Sequence, residues 1–504
     1  MNLEEIIRGR IRKCKNKVAV IYGNRNFTFA ELDERVNRLA NALIDMGMQA
    51  GDRIAIMSRN CPQFREVYIS AIKAGLVLVP LNVRHKESEI AYVLDDCKPN
   101  AVICQNEYTG LIDSASSGAA YLQNYICIEH AEGKMLSYED LIDQSQPSEP
   151  IVNISEDDLV LLMYTSGTTG QPKGVMTSRR CFTSYITKDP VVYGDVSNSI
   201  HMSVMPMHGS AGLMTDFRYF AGGATTVIAE SSDPSTVMRL IEQYQVTETD
   251  LVPTSINFLL NSPEFGQYDL GSLRKVYYTG SYMAPELLER AIKAMGKIFC
   301  QVYGATEAIG ISVLKAEEHI SGSKRITSAG EVQVGVQMRI LDTSGNEVPV
   351  GEKGEIVVKS DTLMNGYFGK PEATAMVLEN GWFHTGDVGF IDEDGYLYIR
   401  DRKKDMIISG GLNIFPAEIE NVIISNPAVL EVAVIGVPDP VWGESVKAVV
   451  VPKGGAEISD EDIIELCKDK LAGYKKPKSV AFVESLPKTS TGKVQKWVLR
   501  KQFE

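Results

Sequence analysis

Leu159-Val-Leu-Leu-Met-Tyr-Thr-Ser-Gly-Thr-Thr-Gly-Gln-Pro-Lys-Gly174 is the most informative stretch of this chain. The apolar run Leu159 to Met163 has the look of a short buried strand. It opens into a loop with three glycines, where a backbone without side chains can approach a ligand closely. Ser166, Thr168 and Thr169 supply hydroxyl donors, and Lys173 adds a positive charge. Many donors, little bulk and one cation suit a polyanion such as a triphosphate. The pattern G-x-x-x-x-G-K-[ST] is not matched, so this is no Walker A loop. By composition alone, a Gly/Ser/Thr loop that binds nothing explains the residues equally well.

Upstream of this loop, helical and strand patterns alternate. Thr28 to Leu43 has apolar residues at helical spacing, with Thr28 as N-cap and Glu31 three residues on. Gly51-Asp52 forms a turn before the strand-like Arg53-Ile-Ala-Ile-Met. Phe64 to Ala74 reads as a helix stopped by Gly75, and Val77-Leu-Val-Pro as a strand. Such alternation predicts an α/β architecture with buried sheets. From about Gly330 the texture becomes β-rich, with runs such as Met338-Arg-Ile-Leu and Gly354-Glu-Ile-Val-Val-Lys between turn signals. The dense charge of Arg400-Asp-Arg-Lys-Lys-Asp then interrupts it. Beyond lie a helix from Pro416, strands at Glu431–Gly436 and Val446–Val451, a helix from Ser459 to Leu471 and a strand at Val480. The expected organisation is a large domain, 1–401, of stacked α/β lobes plus a β-rich subdomain. A small mobile α+β domain, 402–504, follows.

Composition narrows the function classes. The chain has 504 residues, of which 44% are hydrophobic, enough for more than one domain. With 51 basic and 65 acidic residues the net charge is −14, which excludes general nucleic-acid binding, a task that needs a basic footprint. The eight cysteines are scattered without a C-x-x-C pair, and the six histidines have no metal-ligand spacing, so reduced thiols and no structural zinc are expected. The start, Met1-Asn-Leu-Glu-Glu, lacks the features of a signal peptide, and no apolar run is long enough to span a bilayer. A cytoplasmic protein without stable membrane insertion is expected. Nothing here counts against a homodimer.

Three further strings carry chemistry. Gln301-Val-Tyr-Gly-Ala-Thr-Glu307 offers an aromatic ring, a glycine, a hydroxyl and a carboxylate. Gly381-Trp-Phe-His-Thr-Gly-Asp387 ends in a carboxylate, a natural acceptor for hydroxyls. Pro487-Lys-Thr-Ser-Thr-Gly-Lys493 places a lysine near the C-terminus. Singly, each has an ordinary account as a turn or a solvated tail. Together and in this order, with the 164–174 loop, they resemble the adenylate-forming superfamily. That family holds acyl-CoA synthetases, 4-coumarate–CoA ligases, firefly luciferase and the adenylation domains of peptide synthetases. The resemblance runs from Thr28 to Lys493 and is strongest to fatty-acid and aryl-acid CoA ligases.

The resemblance implies roles residue by residue. Thr165, Ser166, Gly167, Thr168, Thr169 and Lys173 would bind the ATP phosphates. Gly280, Ser281 and Tyr282 would form the adenine strip, with Gln301, Val302 and Gly304 beside it. Tyr303 would pack on adenine, Thr306 would contact the α-phosphate and Glu307 would hold Mg²⁺. Asp387 and Arg402 would bind the ribose, and Lys404 would be the hinge. Lys493 would be the mobile catalytic lysine that bridges the acid carboxylate and the α-phosphate in the first step. His208, in Met205-Pro-Met-His, would border the acid, followed by small residues through Gly212 that leave room for a chain or ring. Val302 and Ala305 would line the same pocket.

The acceptor is implied by the C-terminal part. Gly410 and Gly411 match a segment lining a pantetheine tunnel, Asn413 matches a polar position near the adenylate, and Tyr474 and Lys476 match a segment that holds the nucleotide of coenzyme A, with Trp442 as a wall. A basic surface loop and a packing tryptophan remain the plain alternative. The implied function is an acid–thiol ligase of fatty acid metabolism or aryl-acid activation, with ATP, Mg²⁺ and coenzyme A. The lid would rotate about Lys404 between half-reactions. Two rivals stay open: an adenylating enzyme that loads a separate carrier protein, and a non-catalytic nucleotide-binding protein on the same fold.

Overall fold

The computed structural model describes residues 2–131, 133–165, 171–281, 283–402, 405–409, 412–489 and 493–503, and of Asn413 the backbone only. Local signals act where expected. The Thr28 hydroxyl accepts the Glu31 amide and Glu31 accepts the Thr28 amide at 2.7 Å, starting the helix Phe29–Asp45. Phe29, Leu32, Val36, Leu39 and Leu43 then share its buried face. The helix Pro62–Ala74 stops at Gly75. It is buried on nearly every side, because it lies between two sheets rather than on a surface.

The first sheet has seven strands, parallel from Leu136–Ser137 through Val77–Pro80 to Leu159–Thr165, and it closes with the antiparallel strand Lys173–Ser178. The second has fourteen. Its parallel half runs through Thr225–Ile228, Ile200–Ser203, Glu248–Leu251, Lys275–Tyr278 and Phe299–Ala305. At the hairpin joining Phe299–Ala305 to Ala308–Leu314 the same sheet turns antiparallel and continues through Gly330–Val332, Tyr396–Arg402, Trp382–Ile391 and Gly354–Ser360. The β-rich region is therefore an extension of the second lobe's sheet. Strands Val18–Tyr22 and Arg25–Thr28 form its opposite edge. The main core lies between the two sheets, where Phe64, Phe182, Phe217 and Phe220 meet Ile54 and Leu161.

The C-terminal part has its own five-stranded sheet, built around the long pair Val429–Asp439 and Gly443–Pro452, with helices Pro416–Ile424 and Asp460–Lys470. Its core residues, such as Ile407, Ile419, Val434, Val450 and Ile463, come from this part alone. A last helix, Lys496–Phe503, had no counterpart in the sequence reading. All eight cysteines are unpaired and seven are buried. No described helix is long and apolar enough to cross a membrane.

Candidate active site

The strand Leu159–Thr165 pairs antiparallel with Lys173–Ser178, with Thr165 opposite Lys173. Ser166, Gly167, Thr168 and Thr169 lie outside the described residues. The Lys173 Nζ sits 4.9 Å from the centre of the Tyr367 ring. Gln301, Val302, Tyr303 and Gly304 occupy the strand before the sheet's turning point, with Thr306 and Glu307 in the hairpin itself. A Cβ on Gly304 would meet the Gly310 amide nitrogen at 3.0 Å, so the hairpin's own closure requires this glycine. Glu307 Oε1 accepts a hydrogen bond from the Tyr367 hydroxyl at 3.0 Å.

Asp387 links three of the motifs. Sheet register sets it opposite Arg402, whose Nε lies 3.0 Å from its Oδ1. The Tyr303 hydroxyl donates to its Oδ2 at 2.6 Å. Burial, reinforced by this carboxylate, pushes the Tyr303 phenol well up, so it stays a donor. The carboxylate in turn strengthens the hold of Arg402 on its proton. Each Asp387 oxygen keeps a lone pair for a further hydroxyl.

A cleft of about 560 Å³ opens between the large part and the C-terminal part. Thr279, Gly280, Ser281, Gln301, Val302, Tyr303, Gly304, Asp387 and Arg402 line one side, and Glu420, Lys453, Lys488, Lys493 and Lys496 line the other. Tyr282 and Lys404 lie outside the described residues. Lys493 is tied to Thr489. Its carbonyl accepts the Thr489 amide at 2.7 Å and its own amide donates to the Thr489 hydroxyl. The structure thus brings Lys493 to the same space as Tyr303, Asp387 and Arg402, residues about a hundred or more positions away in sequence.

Other candidates stand apart. His208 is not among the residues lining the cleft. It is buried, and burial, followed by His85 and Arg84, pushes its imidazole down to about 4. Asn60, from the first lobe, clamps the loop Met205–Met207: its amide donates to the Met205 carbonyl at 2.9 Å and its carbonyl accepts the Met207 amide at 2.8 Å. Gly212 does not make room for a ligand, because its Cβ position lies 2.2 Å from the Pro206 carbonyl oxygen. Trp442 and Tyr474 are half exposed on the C-terminal part and, with Lys476, lie off the cleft. Gly410, Gly411 and the Asn413 side chain are outside the described residues.

The sequence of the first 368 residues supplies the decisive match. Residues 7–368 fit the model of the AMP-binding enzyme family, and residues 418–493 fit that of the AMP-binding enzyme C-terminal domain.

The chain belongs to the AMP-binding enzyme family.

Among its relatives is the feruloyl-CoA synthase of an Amycolatopsis species, 39% identical over 98% of this chain and 97% of that protein. The long-chain-fatty-acid–CoA ligase FadD13 of Mycobacterium tuberculosis is 37% identical over 94% of this chain and 93% of its own length. The ATP-bound crystal structure of MatB from Rhodopseudomonas palustris, 30% identical, superposes with a TM-score of 0.91 over 100% of this chain and 99% of that one. The apo structure of the same protein, 29% identical over the same shares, gives 0.78.

Within this AMP-binding enzyme, Asp401, Lys496 and Tyr367 acquire their contacts only in the fold. Asp401 precedes Arg402 on its strand, yet its Oδ2 accepts the Ala417 amide at 3.0 Å, capping the first helix of the C-terminal part. Lys496 reaches Glu420 at 2.7 Å. Burial opposes its charge, but Glu420 and Asp401 outweigh that and hold the ammonium up. Tyr367 sits in Gly366-Tyr-Phe-Gly, and an aromatic pair between glycines was its only signal.

Proposed function

We propose that this AMP-binding enzyme is an acyl-CoA synthetase that activates a fatty or aromatic acid in two steps. The acid's carboxylate attacks the α-phosphate of ATP, and pyrophosphate leaves. The coenzyme A thiol then attacks the acyl carbon, and AMP leaves. The observation that carries the reading is the meeting of Lys493 with Asp387, Arg402 and Tyr303 around one cleft. Two anions must approach in the first step, and a lysine directed there offsets their repulsion. Asp387 suits the ribose hydroxyls, and Thr165 and Lys173 suit the phosphates. His208, kept neutral by burial, suits the border of an uncharged acyl group. The names of the feruloyl and long-chain relatives support an aromatic or fatty acid.

Magnesium belongs to the same proposal. Among the described residues no three His, Cys, Asp or Glu side chains gather as a metal site, while Glu307 offers a single carboxylate. One carboxylate plus substrate phosphates is the usual Mg²⁺ arrangement. When bound, the ion neutralises triphosphate charge. Seven buried thiols and no disulfide fit the reducing cytoplasm. The lid, taken as the part beyond the Lys404 hinge, has the arrangement for the first step, supported by the better superposition on the ATP-bound relative. Rotation would then bring Gly410, Gly411 and Asn413 to the adenylate, with Trp442, Tyr474 and Lys476 holding coenzyme A.

A panel of hydroxycinnamic, benzoic and fatty acids, scored for acid-dependent exchange of pyrophosphate into ATP and then for acyl-CoA, tests this. Exchange with an acid and thioester formation with free coenzyme A are expected. Exchange without transfer to free coenzyme A, but with transfer to a phosphopantetheinyl carrier protein, would move the acceptor. No exchange with any acid would leave only nucleotide binding.

A further inference from the structure

Tyr367 connects two elements that the proposed nucleotide site needs in register. The backbone on either side of it is zipped to the strand Lys173–Ser178: Phe368 donates to the Gly174 carbonyl at 2.8 Å and Met176 donates to the Gly366 carbonyl at 3.0 Å. The side chain is buried, with its hydroxyl on Glu307 Oε1 and its ring face under Lys173 Nζ. No ion pair joins Lys173 to Glu307 among the described residues, although both contact the same side chain. An ammonium on a ring face is attracted by the ring quadrupole and keeps its N–H donors. A carboxylate with one oxygen engaged by a phenol keeps its other oxygen and its charge.

We propose that Tyr367 is a positioning residue that holds Lys173 and Glu307 apart, so that the ammonium stays open for phosphate and the carboxylate for the metal. Without this spacer the two charges collapse into a pair that ATP and its metal must break. Burial and the Glu307 carboxylate push the phenol up, so the hydroxyl remains a donor throughout the working pH range. The inference rests on the reading of Lys173 and Glu307 given above.

The test separates hydroxyl from ring. Tyr367→Phe keeps the platform under Lys173 and removes the bond to Glu307, and Tyr367→Leu removes both. Manganese binding to the enzyme–ATP complex, followed by electron paramagnetic resonance, reads the metal site without turnover. Tyr367→Phe is expected to weaken manganese binding about tenfold, the usual effect of losing one hydrogen bond to a charge. The KM for metal–ATP rises with it, while the KM for the acid stays within about twofold. Tyr367→Leu should in addition weaken ATP binding in the absence of metal. If that variant fails to fold, Tyr367→Phe decides alone. Wild-type manganese affinity in Tyr367→Phe, beside a loss in Glu307→Gln, overturns the inference. Unchanged affinity in Glu307→Gln overturns the metal reading itself.

Discussion

The C-terminal part presents two unlike surfaces. One faces the cleft and is held there. Lys493 is hydrogen-bonded to Thr489, Lys496 is buried against Glu420, and Lys488 reaches Glu431 and stands over the Phe258 ring of the large part. The other carries Trp442 and Tyr474, each about half exposed, with Lys478 over the first ring and Lys475 beside the second. The first surface has ion pairs internal to the C-terminal part and one contact to the large part, Lys488 over Phe258. The second has half-exposed rings with a lysine over each, Lys478 paired with Asp439 and Lys475 with Glu418, a composition open to stacking on a nucleotide. Under the proposed two-step mechanism, each surface would serve one half-reaction. The two surfaces should therefore fail in different half-reactions.

The largest expected effect tests the docked surface. Lys493→Ala should slow adenylate formation about a thousandfold, the scale for removing one charge-stabilising group. Thioester formation from pre-made acyl-AMP should stay near wild type, measured by rapid quench. Equal losses in both steps would erase the distinction between the surfaces. Asp387→Asn comes next. Asparagine can still accept from Tyr303 but no longer carries the charge that Arg402 faces, so kcat/KM for ATP should fall about a hundredfold. A drop confined to the acid's KM would move Asp387 away from the nucleotide. The exposed surface gives a smaller effect of the opposite kind. Trp442→Ala or Tyr474→Ala should raise the KM for coenzyme A about tenfold through lost stacking, leaving pyrophosphate exchange unchanged. Impaired exchange would mean that these rings serve the first step or the fold.

Much of this molecule was legible before its structure because each signal was local. The Thr28–Glu31 cap, the Gly75 stop and the Ser459 cap each set a helix end through neighbours within a few residues. The motif residues Tyr303, Asp387, Arg402 and Lys493 were legible as separate strings, each with the chemistry its ligand needs. What escaped depends on partners far along the chain. Asn60 acts on a loop 145 positions away, and nothing around it marks that contact. Tyr367 matters because strand pairing sets it beside Lys173 and a hairpin sets Glu307 above it. The β-rich region resembled a separate unit because its texture changes near Gly330, but hydrogen bonding continues across that change into one sheet. Gly212 resembled pocket space because a small residue does not reveal whether a ligand or the protein's own backbone fills the gap.

The smallest expected effect concerns the joint between the two surfaces. Asp401 belongs to a strand of the large part's sheet, yet it caps the helix Pro416–Ile424 of the C-terminal part and lies near Lys496. Burial raises its carboxyl, with Lys496 opposing the shift. A raised acid is easier to protonate folded than unfolded, so it favours the fold at low pH and that contribution is lost as pH rises through the folded value. At neutral pH the buried charge is thus a cost to the fold while serving as a cap. Asp401→Asn removes the cost and weakens the cap, which is worth about 1 kcal/mol in typical helices. Thermal stability should hold or rise, while the docked arrangement loosens. The ratio of thioester to adenylation rate should shift a fewfold toward the thioester step, about what 1 kcal/mol moves an equilibrium. A fall in Tm with both steps slowed equally would show that Asp401 supports the fold and not the lid's position. A shift in the ratio at constant Tm would make this carboxylate the latch that keeps Lys493 in the cleft until the adenylate has formed.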